Sequence, residues 1–398
     1  MIPVERALEI VLEGVRTVAE AETLPLPDAH GRVLAADVTA PRDQPPFRAS
    51  AMDGYAIRAA EAAVGARLRV VGESSAGSRH DGPLGEGEAV RIFTGAPVPD
   101  GADAVLIQEN ATREGDAVVP REATAPGRFV RPAGLDFAAG ATLARAGERI
   151  DAGRLGLLAA ANIAAVPVRR APRVSVVATG DELVPLGGAL GPDEIVASSV
   201  LGVVAILRGA GANARDAGIA RDTMADLAAT LDAATADDPD LVVTLGGASV
   251  GRHDLVAQAL RARGVVMAFE RVAMRPGKPL MHGREEATGR ERAWLGLPGN
   301  PVSSLVCAHL FGVPLVARLL GATSAQRWIF VNAGADLPAN DERQDYLRVT
   351  LDGDVAAPLD RQDSSQMSRF AAADALLVRP PHAPEAAAGT RHRALVLR

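Results

Sequence analysis

The sequence predicts a multidomain α/β protein in which a mostly parallel βαβ unit is accompanied by β-rich units. Three observations predict it. Apolar strand-like runs alternate with helical patterns between about residues 172 and 320. Short β-like runs broken by Gly, Pro and Asp fill residues 46–137. A chain of 398 residues, 48% hydrophobic, has room for several cores.

The elements follow in order. "MIPVERALEIVLEGV" carries Glu5, Glu9 and Glu13 at helical spacing, which predicts an amphipathic helix and not a signal peptide. The stretch to residue 45 closes on the proline-punctuated "TAPRDQPPFRAS", and "ARLRVVGES", "EAVRIFTGA" and "DAVLIQEN" then read as strands. Gly140–Arg170 turns alanine-rich, with "DAGRLGLLAAANIAAVPV" as a short helix and a strand. "RVSVVAT" is a buried-strand run, followed by the helix "SSVLGVVAILRGAG" with Ser198 or Ser199 as cap and Gly209 as stop. "DTMADLAATLDAAT" is a helix with Asp222 at its cap. Next come the strand "LVVTL", the helix "HDLVAQALRARG", the strands "VVMAFE" and "AWLGL", and a long helix from Pro301 that runs out through "LLGATS". Strands alternating with helices imply a parallel sheet covered on both faces. "RWIFVNAGADLP", "DYLRVTL", "DALLVRP" and "RALVLR" predict a small separate β unit.

Composition excludes several classes. A net charge of −7 and a pI near 5.6 argue against a general nucleic-acid binder, which needs a basic face. Aromatics are 3%, too few for base-stacking platforms. The one cysteine, Cys307, sits in the apolar run "SSLVCAHLF"; it reads as core and fits a reducing compartment. The apolar stretch "LGLLAAANIAAVPV" is too short and interrupted to span a bilayer, so no membrane partner and a cytoplasmic location are expected. His80, His253, His282 and His309 lack zinc spacing, and no Gly-x-Ser-x-Gly elbow appears.

Loops at the carboxyl ends of parallel strands share one edge, where ligands bind. Three unusual loops fall there: "TGDEL" (179–183), "GGASVG" (246–251) and "PGNPVSS" (298–304). Their convergence is the central expectation. Gly246, Gly247, Ser249 and Gly251 belong to a loop that can bring backbone N–H groups to an anion, although a tight turn alone explains glycines equally well. It is no Walker A loop, and in "RPGKPL" Pro279 replaces the hydroxyl such a loop needs. Asn300, Pro301, Ser303 and Ser304 are helix-start residues, whose free N–H groups and hydroxyls are expected to face a ligand. The carboxylates of Asp181, Glu182, Asp222 and Asp254 beside such a nest repel an anion unless a hard cation such as Mg²⁺ lies between. Arg271, Arg275 and Lys278 offer cationic contacts to an oxyanion. By contrast "PPFRASAMDGYAI", with Asp53, and "IFTGAPVPDGADAV" are explained by turns, and physics alone gives them no ligand.

"MDGYA", "TGAPVP", "TGDEL", "GGASVGRHD", "RPGKP" and "GLPGNPVSS", in this order, resemble the molybdopterin molybdenumtransferases, the MoeA and gephyrin E-domain family. The resemblance implies four domains: domain I from 23–45 and 138–170, a β-rich domain II at 46–137, an α/β domain III from 1–22 and 171–320, and a β domain IV at 321–398. It also implies that domain III has the pterin-binding fold shared with molybdopterin adenylyltransferases. The implied reaction joins molybdate to adenylylated molybdopterin with Mg²⁺ or a similar ion, releasing AMP. The implied assembly is a homodimer with its site between domain III of one subunit and domain II of the other. The implied partners are the adenylyltransferase upstream and molybdoenzymes or their chaperones downstream. Carried over by motif, Asp53, Thr94 and Asp136 contribute from domain II, and Glu182, Asp222 and Asp254 serve the pterin, metal and phosphate. Pro298 and Pro301 shape the pocket, and Ser364 with Arg343 or Arg348 comes from domain IV.

The chain also departs from the family pattern. Arg271 and Arg275 stand where a pair of lysines is usual, and the glycine loop begins Leu-Gly-Gly-Ala-Ser instead of Thr-Gly-Gly-Val-Ser. Ser199 replaces an Asn, and Asp363 and Ser365 flank Ser364 where Gly-Ser-Gly is usual. These departures keep two alternatives in view: a scaffold or binding protein that retains the fold, and a divergent paralogue inserting tungsten. A pterin adenylyltransferase is disfavoured by the extra domains.

Overall fold

The computed structural model describes residues 1–247, 255–285, 292–323 and 326–398. Its central element is a six-stranded sheet ordered Asn213–Ala220, Arg173–Thr179, Leu241–Leu245, Arg292–Leu297, Met281–Glu285, Val265–Phe269. The first four strands run parallel and the last two join antiparallel, so the sheet is mostly parallel as expected.

Both faces are covered. On one, Val174, Val176, Val243 and Leu295 pack with helices Val4–Leu12, Ser198–Gly209 and the segment from Pro301 to Leu320. On the other, Val177, Val242 and Trp294 pack with helices Met224–Thr235 and Leu255–Ala262. The segment Pro301–Leu320 is apolar and long enough to cross a membrane by length and composition, but 83% of it is buried in this core. It includes a π-helical turn at Ala308–Gly312.

Two strands of this sheet escaped the sequence reading. Asn213–Ala220 lies at the sheet edge with alternating exposure, and Met281–Glu285 is polar. Gly283 lets the latter fit, since a Cβ there would lie 2.7 Å from Val265 Cγ1 and 2.8 Å from the Val266 carbonyl oxygen.

Two caps differ from expectation. Helix Ser198–Gly209 is preceded by Ala197, with no side-chain cap, so neither Ser198 nor Ser199 caps it. Thr223, not Asp222, caps helix Met224–Thr235, accepting from the Asp226 N–H at 3.2 Å. Asp222 is thereby released from a structural role.

The other units have their own cores. Strands Ala21–Pro25 and Ala165–Arg169 pair around Leu34, Ile150 and Leu158. A six-stranded sheet between Gly54 and Pro120 divides two cores, one around Tyr55 and Leu106, the other around Val90 and Val105. At the C-terminal end five strands close into a barrel: Gln344–Asp352, Val355–Pro358, Trp328–Ala333, Arg391–Val396 and Ala375–Arg379, which pairs back to the first. The short strand Met274–Arg275 joins this barrel sheet although it leaves the α/β unit.

Candidate functional site

The ends of the four parallel strands are tied to one another. The Gly180 N–H donates to the Ala220 carbonyl at 3.1 Å, and the Gly246 N–H donates to the Leu297 carbonyl at 3.1 Å. The Thr179 hydroxyl reaches the Leu245 carbonyl at 3.4 Å. Close approach requires the glycines: at Gly246, with φ +93°, a Cβ would lie 2.6 Å from the Thr179 carbonyl oxygen. At Gly247, with φ +66°, it would lie 2.2 Å from Val256 Cγ2.

These turns open into one cleft of about 1140 Å³, above the range of roughly 300–1,000 Å³ usual for small-molecule pockets. Glu182, Asp222, Gly246, Gly247, Arg275, Lys278, Pro298, Asn300, Pro301 and Ser303 line it from the α/β side. The barrel side supplies Arg343, Gln362 and Ser364. The expected convergence of three loops therefore holds, with the barrel as a further wall. Ser249, Gly251 and Asp254 lie outside the described residues.

The helix start is less open than expected. The Val302 N–H donates to the Ser364 carbonyl at 3.0 Å, so one of the supposedly free donors instead docks the barrel loop. Ser304 is fully buried and donates to the Pro301 carbonyl at 2.8 Å, and so does not face the cleft. Asn300 precedes the helix without a side-chain capping bond.

Electrostatics separate the charged residues. The Asp222 N–H donates to Asp181 Oδ1 at 3.0 Å. Partial burial of its own carboxyl, followed by repulsion from Asp181 and Glu182, raises the Asp222 pKa above the usual carboxylate value. Among the described residues no three acidic, His or Cys side chains form a ready metal cage. A hard divalent ion needs only one or two carboxylates and fills its remaining positions with water and phosphate oxygens, a demand that Glu182 and Asp222 on the cleft wall fit without a cage.

The three cations expected at an oxyanion do not share one role. Arg275 borders the cleft, but its guanidinium donates to Asp341 at 3.2 Å and Asn340 at 3.3 Å and also pairs with Asp345. Arg271 is exposed and does not line the cleft. Lys278 does line it, and no side-chain partner occupies its ammonium among the described residues. The sequence held an overlooked signal: Lys278 is the only lysine among 42 basic residues. Where every other basic position is arginine, a single ammonium in the cleft points to a need for a compact charge.

Of the two barrel arginines expected as alternatives, Arg343 lines the cleft and Arg348 does not. Arg348 is fully buried beneath the 361–365 loop, its Nη2 directed at the Arg361 carbonyl at 3.4 Å. Asp53, Thr94 and Asp136 are elsewhere, on the β-rich unit. Asp53 Oδ1 accepts from the Thr94 N–H at 2.7 Å and the Thr94 hydroxyl at 2.8 Å, and these bonds lower its pKa. Asp136 and Gly95, beside Thr94, line a separate hollow of about 600 Å³. Among the described residues, those lining the cleft and the Asp53, Thr94 and Asp136 set therefore share no cavity within one chain, and Arg271 and Arg348 belong to neither group.

A mostly parallel sheet whose strand-end turns form a large cleft, with carboxylates and a lone lysine on its walls, defines an α/β ligand-binding protein of the edge-site type. Family models agree along the chain. Residues 2–162 match the MoeA N-terminal region (domain I and II), 175–318 a probable molybdopterin binding domain, and 331–397 the MoeA C-terminal region (domain IV). The chain is 36% identical over 401 residues to molybdopterin molybdenumtransferase 2 of Mycobacterium tuberculosis, covering 96% of this chain and 98% of that one. It is 36% identical over 335 residues to the molybdopterin molybdenumtransferase of Nostoc, covering 82% and 76%. The crystal structure of the molybdopterin biosynthesis moeA protein of Pyrococcus horikoshii superposes with a TM-score of 0.84 at 31% identity, covering 100% of this chain and 99% of that one. The chain belongs to the molybdopterin molybdenumtransferase family.

Proposed function

We propose that this protein is the transferase of molybdenum cofactor biosynthesis that inserts molybdenum from molybdate into adenylylated molybdopterin, with cleavage of the phosphoanhydride and release of AMP. The observation that carries the reading is the single large cleft where the strand-end turns, Glu182, Asp222 and Lys278 meet. The backbone N–H of Gly247 suits phosphate oxygens, Gly246 letting the turn approach closely, and Lys278 suits the compact molybdate dianion. Glu182 and Asp222, with Asp254, would hold Mg²⁺. When bound, that ion supplies charge neutralisation at the phosphoanhydride. The protein's own contribution is positioning and electrostatic stabilisation, the main levers in phosphoryl-type chemistry.

In this reading two subunits complete each site. The Asp53–Thr94 pair and Asp136 lie outside the cleft of their own chain, and a homodimer gives them the partner's cleft to serve. The apolar cores around Leu34, Tyr55 and Val331 support a four-domain division with bounds at 23–45 and 138–170, 46–137, 1–22 and 171–320, and 321–398, while Tyr346, Leu376 and Leu395 of the barrel also pack into the α/β core. The location is cytoplasmic, with an adenylyltransferase as the source of substrate and molybdoenzymes or their chaperones as recipients.

The test is variant turnover. Asp53→Ala and Asp254→Ala each abolish molybdate-dependent AMP release from adenylylated molybdopterin while folding survives. Wild-type turnover in both variants would refute the site assignment. Tungstate run alongside molybdate decides the tungsten alternative.

A further inference from the structure

Lys278 stands on a loop that is held from outside the α/β unit. Strand Met274–Arg275 pairs in parallel with Gln344–Asp345 of the barrel. The Gln344 N–H donates to the Ala273 carbonyl at 3.0 Å. The Arg275 guanidinium then spreads over Asp341, Asn340 and Asp345, of which Asp345 is buried. Asp341 is itself shared: Oδ2 accepts from the Arg343 guanidinium at 2.9 Å and Oδ1 accepts from the Arg343 N–H at 2.8 Å. Lys278 and Arg343, both lining the cleft, are thereby tied to one cluster.

We infer that Arg275 is a positioning residue that docks the Arg-Pro-Gly-Lys loop on the barrel and so sets where Lys278 stands in the cleft. The inference rests on the proposed reading only in giving Lys278 the substrate. A planar guanidinium suits this role, since its five N–H donors reach three acceptors at once, which one ammonium cannot do. It is correspondingly poor as an anion ligand. An oxyanion approaching Arg275 meets the Asp341 and Asp345 carboxylates that already occupy its donors.

The two roles predict opposite signs for Asp345→Asn. If Arg275 binds the oxyanion, removing Asp345's charge frees it and tightens molybdate binding. If Arg275 is a clamp, the same change loosens the loop and weakens catalysis. Because Lys278 is the only lysine, its ε-amine can be followed without any activity assay. Full-length protein is treated with limiting acetic anhydride, and acetylation at Lys278 is measured by mass spectrometry relative to the α-amino group. In Asp345→Asn and Arg275→Gln the Lys278 labelling rate rises about 10-fold, as a docked segment opens locally. The double variant rises no further, and Arg275→Lys, which keeps the charge and most of the volume, falls between. In parallel, kcat/KM for molybdate drops on the order of 10²-fold in both single variants, the cost of displacing a catalytic group by about 1 Å.

Labelling unchanged in all three single variants, or a lower molybdate KM in Asp345→Asn, overturns the inference. The labelling arm needs no turnover, so a wild-type protein inactive towards molybdate would contradict the proposed function and leave the clamp test intact.

Discussion

Gly299 and Gly246 meet backbone to backbone: a Cβ on Gly299 would fall 3.3 Å from the Gly246 Cα. The contact joins the turns after two neighbouring strands, and it is one reason a single cleft exists. Side chains inserted here should separate the turns. Gly246→Ala places a Cβ 2.6 Å from the Thr179 carbonyl at a φ of +93° and is expected to cost about 2–3 kcal/mol, read from the urea midpoint. Gly156→Ala, in a helix with open space around it, is the control and is expected to stabilise by about 0.5–1 kcal/mol.

Asp222 provides a test of the proposed divalent site. Its pKa in the folded state is raised, so the protein folds more easily with this carboxyl protonated. The resulting penalty is absent below the unfolded-state value and complete once pH exceeds the folded one. At neutral pH without divalent ions, Asp222→Asn is therefore expected to raise Tm. Added Mg²⁺ should stabilise the wild type more than the variant, because the ion relieves repulsion that the variant has already lost. Equal Mg²⁺ shifts in the two proteins would remove Asp222 from the metal site.

The lone lysine predicts a strict chemical requirement. Lys278→Arg keeps the charge but spreads it over a larger plane, and kcat/KM for molybdate is expected to fall about 10- to 100-fold. Arg271→Lys, at an exposed position outside the cleft, should change little. Steady-state kinetics on the two variants decide it.

The proposed sharing of the site between subunits predicts complementation. Asp53→Ala and Asp222→Asn proteins, each inactive alone, are unfolded together and refolded. Random pairing makes half the dimers mixed, each with one intact site, so about one quarter of wild-type activity should return. If both residues act within one chain, mixing restores nothing.

His282 sets an acid limit on stability. It is 1% exposed, its Nδ1 lies 2.9 Å from the Trp294 carbonyl oxygen, and burial pulls its pKa down to about 4. A lowered histidine pKa means the unfolded chain takes up the proton first. Stability is thus retained above about pH 6.5 and lost progressively as pH falls to about 4, by up to about 3 kcal/mol. His282→Gln should flatten the dependence of Tm on pH across that window.

Much of this was readable from the chain because it depends on local rules. Apolar runs such as "LVVTL" could only be buried strands, and βαβ order put their glycine turns on one edge. Strand Asn213–Ala220 was hidden because an edge position exposes alternate residues, and Met281–Glu285 because neighbouring strands, not its own apolarity, hold it in the sheet. Caps misled where two candidates were adjacent: Asp222 and Thr223 both suit the position, and only the fold chose Thr223. Cation roles are tertiary facts. Nothing near Arg275 in sequence announces Asp341 and Asp345, and nothing near Arg348 announces its burial. The uniqueness of Lys278, in contrast, needed only a count.

The most direct measurement is AMP released when purified protein is incubated with adenylylated molybdopterin, Mg²⁺ and molybdate. The account predicts AMP in step with molybdenum bound to the pterin, dependent on both ions and strongly reduced when Lys278 or Asp222 is replaced. Intact adenylylated pterin after prolonged incubation with all components, or release indifferent to those two residues, would contradict it.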